Sequence, residues 1–270
     1  MDIGKPFLRW AGSKKRLIPK LHPYWGEGYK RYVEPFMGSA ALFFAIKPSN
    51  ALLSDINSEL VDAFCAVREH PRAVYNRLLQ MPMGQDAYYL IRQEETSRLS
   101  ALERAARFIY LNKFCFNGLY RTNMAGKFNV PYASSKTGQL PSLDDLYKAA
   151  KVLSNAQIKL RDFSEALRDV EAGDFVYMDP PYAVKNRRIF KQYGPDTFGT
   201  GDLTRLAEAL PGIDRIGATF VVSYAMCREA MEAFAGWNIR RTQTQRSVAG
   251  FSQHRRRAVE ILVSNRKLSD

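Results

Sequence analysis

The fold of this chain is decided by residues 32–55, YVEPFMGSAALFFAIKPSNALLSD. Residues 32–36 are typical of a buried strand, residues 39–46 of a helix, and residues 51–54 of a second buried strand. This succession predicts parallel pairing, because parallel strands need a crossover of such length between them. The alternation returns near the end of the chain, in strands at 175–178 and 219–223 and in helices at 203–210 and around 227–234. We therefore predict an α/β fold with a doubly wound, mostly parallel sheet.

The middle of the chain departs from this alternation. Helical patterns at 74–79, 102–111 and 143–153 surround a polar and aromatic loop that is rich in Gly, Asn and Pro. A long loop of this kind is usually functional when a regular scaffold carries it. We predict one α/β domain made of residues 1–56 and 155–270, with residues 57–154 inserted as a helical subdomain that carries a recognition loop.

Composition and length exclude several classes of protein. The 270 residues are 46% hydrophobic and 25% charged, which is typical of a soluble globular chain. The apolar runs are far shorter than a membrane span, and three basic residues at 14–16 precede any long apolar stretch that a secretory signal needs. The three cysteines are scattered, which predicts free thiols in a reducing compartment and neither a disulfide frame nor a zinc site. We expect a cytoplasmic protein that has no membrane partner.

The charge of the chain favours a polyanionic partner. Forty Lys and Arg residues outnumber 27 Asp and Glu residues, which gives a net charge of +13. Residues 111–140 and residues 237–259 contain basic residues and no acidic residue. Solvated surfaces normally mix the two signs, so these segments indicate contact with phosphates. Their basic residues are Lys113, Arg121, Lys127 and Lys136 in the first segment and Arg240, Arg241, Arg246, Arg255, Arg256 and Arg257 in the second.

The tetrapeptide Asp179-Pro180-Pro181-Tyr182 is the most specific signal in the sequence. It follows a predicted strand, and open α/β sheets place their ligands at the carboxyl ends of strands. A rigid turn would explain the prolines alone. All four residues together fit a site that activates an exocyclic amine. The Asp179 carboxylate and the Pro180 carbonyl would accept its N–H bonds, Pro181 would fix the backbone, and Tyr182 would stack on a base.

Two further segments are candidates for binding a nucleoside. Residues 34–40, EPFMGSA, join a strand to a helix through small residues, which lets the backbone approach a ligand closely. Asp55 ends the next strand, where an acid either holds ribose hydroxyls or caps the following segment. One glycine does not make a phosphate-cradling loop, so a cofactor without a pyrophosphate fits better. Residues 7–14, FLRWAGSK, either close over the nucleoside or form a Trp-anchored arm.

Taken together, these segments resemble the Dam-type DNA adenine methyltransferases, the D12 class of S-adenosylmethionine-dependent enzymes. The resemblance runs from Phe7 to about Val263, with the motifs in the order of that class. It implies a Rossmann-like methyltransferase sheet, S-adenosylmethionine as cofactor, S-adenosylhomocysteine as product and no metal. It also implies double-stranded DNA as partner for a monomer of bacterial or phage origin, associated with the nucleoid. The matching segments are 7–14, 33–38, 54–57, 110–131, 177–182 and the Arg-rich stretch before 259–263.

The resemblance assigns the cofactor site and the catalytic turn to residues of this chain. The catalytic turn is Asp179, Pro180, Pro181 and Tyr182. Ser13 and Ala40 stand where the class usually has glycine, and both are small enough for cofactor binding to survive. The residues expected at S-adenosylmethionine are Trp10, Lys14, Asp55 and Asp179, with Phe36 and Gly38 lining the same pocket.

The resemblance also assigns a base-reading hairpin to the insert, from Asn112 to Arg121. Phe116 and Asn117 are expected to enter the duplex where the adenine leaves, and Leu119 to meet a thymine methyl group. Arg121 is expected to contact guanine, and Arg9 falls at another base-reading position. GATC is the leading target, although residues 132–139 differ from the best-known members. Without the resemblance, the residue types at 116–120 also fit a buried aromatic turn with no role in base reading.

Two rival functions remain at this stage. Methyltransferases that act on cytosine N4 or on glutamine use related turns, usually with Ser or Asn in the first place, whereas Asp179 and the insert favour adenine in DNA. A DNA-binding regulator without catalysis is the other rival, and the intact residues 179–182 argue against it.

Overall fold

Seven strands form a single sheet in the computed structural model, which describes residues 5–10, 12, 14–26, 28–123, 125–134, 137–183, 198–245 and 257–268. The strands are β1 (Arg31–Glu34), β2 (Ala51–Asp55), β3 (Ala156–Leu160), β4 (Asp174–Met178), β5 (Thr219–Ala225), β6 (Asn238–Gln245) and β7 (Arg257–Ser264). Their order in the sheet is β3-β2-β1-β4-β5-β7-β6. The first five pair in parallel, and β7 is antiparallel to β5 and to β6. The predicted α/β fold with a mostly parallel sheet is confirmed.

Helices cover both faces of the sheet. Successive strand residues point to opposite faces, and apolar residues point to each of them. Tyr32, Leu53 and Tyr177 face the core that helices α1 to α7 cover, whereas Val33 and Val176 face the core beneath α8 to α10. The helices are α1 (Ile18–Leu21), α2 (Ala41–Ile46), α3 (Ser58–Glu69), α4 (Pro71–Leu79), α5 (Gln85–Gln93), α6 (Ala101–Phe114), α7 (Leu143–Leu153), α8 (Phe163–Arg168), α9 (Thr200–Arg215) and α10 (Arg228–Ala233).

Local chemistry sets several of the element boundaries. β1 ends at Glu34, two residues earlier than predicted, since Pro35 has no N–H to donate to a neighbouring strand. Helix α2 begins at Ala41, two residues later than predicted, because Ala40 has a left-handed backbone with φ of 50°. Helices α6 and α7 begin with capping boxes formed by Ser100 with Glu103 and by Ser142 with Asp145.

Helices α3 to α7 lie between β2 and β3 in the sequence. Helix α3 packs against both strands, and Phe64 joins the same core as Leu53. The hydrophobic core of one sheet face therefore continues into the helices of residues 57–154. Within the described ranges, no helix combines the length and the apolar character that a bilayer crossing needs.

Candidate active site

The order of the strands reverses between β1 and β4. From β1 the chain proceeds outward through β2 to β3, and it then returns to β4 on the opposite side of β1. The following connections therefore leave β1 and β4 in opposite directions, which opens a crevice at their carboxyl ends. Doubly wound sheets bind their ligands in this crevice. Glu34 is the last residue of β1, and Asp179 directly follows β4.

Four acidic side chains stand at this end of the sheet, on three adjacent strands and on β7, which β5 separates from them. They are Asp55 on β2, Glu34 on β1, Asp179 after β4 and Glu260 on β7. Each continues the alternation that directs Leu53, Tyr32, Tyr177 and Leu262 to the core beneath α1 to α7. Glu34 and Glu260 are buried, and the Tyr32 hydroxyl donates a hydrogen bond to Glu34 Oε2 at 3.0 Å. The sheet therefore gathers four acidic side chains on one face of its carboxyl end.

The Asp179 carboxylate is held through one of its two oxygens. Oδ1 accepts hydrogen bonds from Lys14 Nζ at 2.8 Å and from Ser223 Oγ at 2.9 Å. Among the described residues, Oδ2 receives no hydrogen bond, and the side chain is 20% exposed. Burial raises the pKa of Asp179, and the neighbouring Lys14 opposes that rise. The turn thus presents one fixed oxygen and one oxygen that can accept a hydrogen bond from a ligand.

Lys14 links the first segment of the chain to this turn. Its Nζ donates to Tyr182 Oη at 2.7 Å and lies 4.0 Å from Glu260 Oε2. Burial acts to lower the pKa of Lys14, but the nearby Asp179, Tyr182 and Glu260 together raise the pKa above its usual value. The Tyr182 ring also packs edge-on against Tyr224, with centroids 5.0 Å apart. The tyrosine of the turn is therefore fixed at both its hydroxyl and its ring.

The loop after β1 is fastened to the end of β2. Asp55 accepts hydrogen bonds from the Gly38 backbone N–H at 3.2 Å and from the Asn57 backbone N–H at 3.0 Å. Burial raises the pKa of the Asp55 carboxyl to about 6, although these N–H groups act to lower it. Gly38 has φ of 44°, and a Cβ there would lie 2.9 Å from the Trp10 indole. Phe36, on the same loop, stacks on Phe163 with ring centroids 5.1 Å apart.

The predicted base-reading residues lie on a hairpin that spans residues 115–132. Antiparallel bridges join Cys115 to Tyr132 and Thr122 to Phe128. Arg121 donates from Nε to Asn129 Oδ1 at 2.7 Å and from Nη2 to the Asn129 carbonyl at 3.1 Å. The side chains at 116, 117 and 119 are partly buried at the start of the hairpin.

Two contacts join this hairpin to the N-terminal segment. The Tyr120 ring stacks on Trp10, with centroids 6.1 Å apart and planes at 16°. The Arg9 backbone exchanges two hydrogen bonds with the Asn112 side chain, at 2.8 and 2.5 Å. A Cβ on Gly118 would lie 2.5 Å from the Cβ of Arg9, so this position of the hairpin has room only for glycine. Arg9 is thus adjacent to the other predicted base readers, although more than 100 residues of chain separate it from them.

The predicted site residues fall into two groups in the structure. Trp10, Lys14, Phe36, Gly38, Asp55 and residues 179–182 surround the carboxyl ends of β1, β2 and β4, whereas Arg9, Phe116, Asn117, Leu119 and Arg121 gather at the hairpin. Five residues that were singled out in the sequence lie outside the described residues: Ser13, Lys136, Arg246, Arg255 and Arg256. In the ranges that the structure covers, no cluster of three or more His, Cys, Asp or Glu side chains is arranged to hold a metal ion.

Sequence reasoning missed several residues that complete these two groups. Ser223 and Glu260 contact the Lys14–Asp179 pair, and Phe163 stacks on Phe36. Asn112 was predicted only as the first residue of the base-reading segment, and its bond to Arg9 was missed. Glu260 left one signal, because it is a lone acid inside the apolar run AVEILV at 258–263. The other three are common residue types in ordinary contexts, and their partners are distant in the sequence.

Comparison with known proteins identifies the family. Residues 10–248 match the family model of the D12 class N6 adenine-specific DNA methyltransferases. The Type II methyltransferase M1.LlaDCHI of Lactococcus lactis subsp. cremoris is 32% identical, in an alignment that covers 97% of this chain and 95% of the relative. The Type II methyltransferase M.MjaIII of Methanocaldococcus jannaschii is 30% identical, in an alignment that covers 97% of this chain and 99% of the relative. The DNA adenine methylase of Escherichia coli K12 is 27% identical, in an alignment that covers 97% of this chain and 95% of the relative.

A solved structure of a precorrin 8w decarboxylase from Methanobacterium thermoautotrophicum aligns with 97% of this chain and 94% of its own, at 11% identity and a TM-score of 0.39. A similarity this low carries no argument about function. The family match covers most of the sequence, from residue 10 to residue 248. This chain belongs to the D12 class of N6 adenine-specific DNA methyltransferases.

Proposed function

We propose that this enzyme transfers a methyl group from S-adenosylmethionine to N6 of an adenine that has been flipped out of double-stranded DNA. The observation that carries the proposal is the geometry of Asp179. One carboxylate oxygen is held by Lys14 and Ser223, and the other is available to a ligand in the crevice. An acceptor held in this way is suited to an amine that must lose electron delocalisation into its ring before it can attack.

The residues at the end of the sheet fit S-adenosylmethionine, which supplies an electrophilic sulfonium methyl group when bound. Asp55 offers carboxylate oxygens to ribose hydroxyls, and Phe36 and Trp10 offer aromatic surfaces to an adenine ring. Gly38 brings the backbone close without a side chain. The acids at this end of the sheet favour a ligand that carries positive charge. Lys14 would hold Asp179 in place beside that ligand.

Asp179 Oδ2 and the Pro180 carbonyl would then accept the two N–H bonds of the target amine and direct its lone pair at the methyl group. Tyr182, fixed by Lys14 and Tyr224, would stack on the flipped base and exclude water from one side. Because the donor is already a good electrophile, positioning and hydrogen bonding supply most of the acceleration. The proton leaves to water after transfer, so Asp179 acts as a hydrogen-bond acceptor and not as the final base.

We further propose that residues 57–154 are the target-recognition insert and that the hairpin reads the bases. Phe116 and Asn117 would fill the space that the adenine vacates, and Leu119 would contact a thymine methyl group. Arg121 would grip guanine N7 and O6 after releasing Asn129, and Arg9 would read a further base. GATC is the sequence that this set of side chains favours. The enzyme would act as a monomer on DNA in the nucleoid.

Unmethylated DNA incubated with the enzyme and labelled S-adenosylmethionine tests the proposal. Digestion of the DNA to nucleosides should place the label in N6-methyladenine, and sequencing of the methylated DNA should locate it in one short motif. Label in N4-methylcytosine would identify the rival acceptor. Cofactor binding without any transfer to DNA would contradict the proposed reaction.

A further inference from the structure

Tyr120 lies in the hairpin at residues 115–132, beside the proposed base reader Arg121, but it contacts another part of the molecule. Arg121 bonds to Asn129 within the hairpin. The Tyr120 ring instead stacks on Trp10 of the N-terminal segment, with centroids 6.1 Å apart and planes at 16°. Tyr120 is therefore directed at the group of residues that is proposed to bind the cofactor.

The hydroxyl of Tyr120 is anchored at the start of helix α3. It donates to Glu59 Oε2 at 3.1 Å, and Glu59 Oε1 accepts from Arg107 Nη1 at 3.0 Å. Arg107 is buried, and it also donates to the backbone carbonyls of Ile91 and Arg92. Burial and the neighbouring Glu59 carboxylate raise the pKa of the Tyr120 hydroxyl, so it remains a donor. The far end of the ring is thus held by a group whose own position is fixed.

These contacts close a ring of residues that contains proposed cofactor ligands. Asp55 accepts hydrogen bonds from the N–H groups of Gly38 and Asn57, which joins the loop after β1 to the start of α3. A Cβ on Gly38 would lie 2.9 Å from the Trp10 indole, so these two residues are in close contact. Trp10 stacks on Tyr120, and the Tyr120 hydroxyl returns to the first turn of α3. Tyr120 is the member of the ring that the hairpin supplies.

The orientation of the Trp10 indole depends on its side-chain contacts, because residues 5–10 form neither a helix nor a strand. In the described part of the chain, its ring partners are Tyr120, which is nearly parallel to it, and Phe108, at 6.4 Å and 39°. Aromatic pairs are stabilised beyond the area that they bury. Loss of the Tyr120 ring would remove the nearly parallel surface against which the indole rests, and Gly38 has no side chain with which to hold it.

We propose that Tyr120 is a positioning residue that holds the Trp10 indole where the adenine of the cofactor stacks, so that the DNA-reading hairpin completes the cofactor pocket. This inference rests on the proposed function, in which Trp10 offers an aromatic surface to S-adenosylmethionine. Tyr120 acts through Trp10 and need not touch the cofactor. A change at Tyr120 should therefore act on the cofactor, whereas a change at Arg121 acts on the choice of DNA site.

Calorimetric titration with S-adenosylhomocysteine tests the proposal. Tyr120→Leu removes the aromatic ring and keeps an apolar side chain, so we expect the Kd to rise about tenfold. Tyr120→Phe keeps the ring and removes only the bond to Glu59, so it should restore the affinity to within about threefold of the wild type. Tyr132→Leu makes the same exchange in the same hairpin, at a ring that packs on Tyr88, and should change the affinity by less than about twofold. Unchanged affinity in Tyr120→Leu, or an equal loss in Tyr120→Phe or Tyr132→Leu, would overturn the proposal.

A double-mutant cycle with Trp10→Leu tests whether Tyr120 acts through Trp10. Trp10→Leu should weaken cofactor binding by itself, and Tyr120→Leu added to it should cause less than about twofold further loss. Losses that add would overturn the proposal, because a merely structural role for Tyr120 does not depend on Trp10. Tyr120→Met replaces Tyr120→Leu in these experiments, with the same expectations, if the leucine variant fails to fold.

Fluorescence quenching reports the position of the indole directly. Trp25→Phe together with Trp237→Phe leaves Trp10 as the sole tryptophan. In that background Tyr120→Leu should expose Trp10 to acrylamide more than Tyr132→Leu does, and equal quenching would contradict the proposal. Wild-type enzyme that binds neither S-adenosylmethionine nor S-adenosylhomocysteine would refute the proposed function. If the wild type binds the cofactor and methylates adenine, while Tyr120→Leu binds it equally well, only this inference is refuted.

Discussion

The acidic end of the sheet and the hairpin at residues 115–132 hold their polar groups in different ways. At the sheet, Asp179 and Lys14 are fixed by buried or nearly buried partners, and Asp55 is fixed by two backbone N–H groups. At the hairpin, Arg121 is partly exposed and bonds to Asn129 within the same hairpin. The first region can accept a ligand without giving up its own contacts, whereas Arg121, in its proposed role as a base reader, would first have to release Asn129.

This difference separates the expected effects of mutation. A change at the sheet removes a preorganised group, so it should reduce the rate of transfer or the affinity for the cofactor. At the hairpin, hydrogen bonds within the protein are proposed to be exchanged for hydrogen bonds to DNA bases. A change to these bonds should therefore alter the choice of DNA site more than the affinity for the cofactor.

The largest effect is expected from Asp179→Ala, which removes the proposed acceptor. Methyl transfer should fall by about 100- to 1000-fold, because one oriented electrostatic group at a reacting atom is typically worth that much. Binding of DNA, measured by fluorescence anisotropy, should remain within a few fold of the wild type. Asp179→Asn keeps the shape of the side chain and controls for the buried ammonium that alanine would strand. Full activity in Asp179→Ala would rule out the proposed turn.

Arg121→Ala should have the next largest effect. The substitution should change the recognition of DNA and leave the affinity for the cofactor unchanged. A bidentate contact to guanine is worth about 1–3 kcal/mol, so kcat/KM on the preferred site should drop about 10- to 100-fold while neighbouring sites gain relative to it. Competition between preferred and single-base-altered duplexes measures this change. Lys127→Ala, at an exposed position of the same hairpin that pairs with Glu95, controls for contact with phosphates, because its loss should weaken binding to all duplexes equally and leave the choice of site unchanged. A fall in cofactor affinity in Arg121→Ala would break the proposed separation of the two regions.

Gly38→Ala should produce a smaller loss, confined to the cofactor. The new methyl group would meet the Trp10 indole at 2.9 Å, and a left-handed backbone costs about 1 kcal/mol for a residue with a side chain. We expect the Kd for S-adenosylhomocysteine to rise about tenfold and DNA affinity to stay unchanged. Gly84→Ala also replaces a glycine of positive φ, 109°, with open space around it, so it tests backbone strain away from the site. Equal effects of the two substitutions on cofactor binding would exclude a specific role for the Trp10 contact.

The smallest effect is a dependence of cofactor binding on pH. Burial raises the pKa of Asp55 to about 6, so the carboxyl gains a proton as the pH falls through 6 and then accepts fewer hydrogen bonds from ribose. The Kd for S-adenosylhomocysteine, whose thioether is uncharged, should rise about fivefold between pH 7 and pH 5. Asp55→Asn should bind more weakly and lose this dependence. A steep dependence that persists in Asp55→Asn would show that another group is responsible.

The sequence predicted the parts of this arrangement that depend on local pattern. Asp55 and Asp179 end strands whose apolar runs are continuous, and the carboxyl ends of parallel strands meet at one edge of a sheet. β3 was not predicted, because it is an edge strand with an exposed face, and α8 was not predicted, because it is only six residues long.

Contacts between segments that are distant in the sequence could not be predicted from local sequence patterns. Ser223 reaches Asp179 only because β4 and β5 are neighbours in the sheet. Glu260 reaches Lys14 only because β7 inserts antiparallel between β5 and β6, an arrangement that the alternation of strands and helices does not foretell. The pairing of Arg9 with Asn112 depends on where α6 ends against the N-terminal segment.

The tight approach of Gly118 to Arg9 has a consequence for engineering. A hairpin transplanted from a relative to change the DNA target brings its own residue at 118, and the recipient's N-terminal segment leaves no space for a side chain there. The unit of exchange is therefore not the hairpin alone. A functional chimera should carry residues 7–10 together with residues 112–132 from the same donor, so that the tight contact between positions 9 and 118 is kept between segments of one parent.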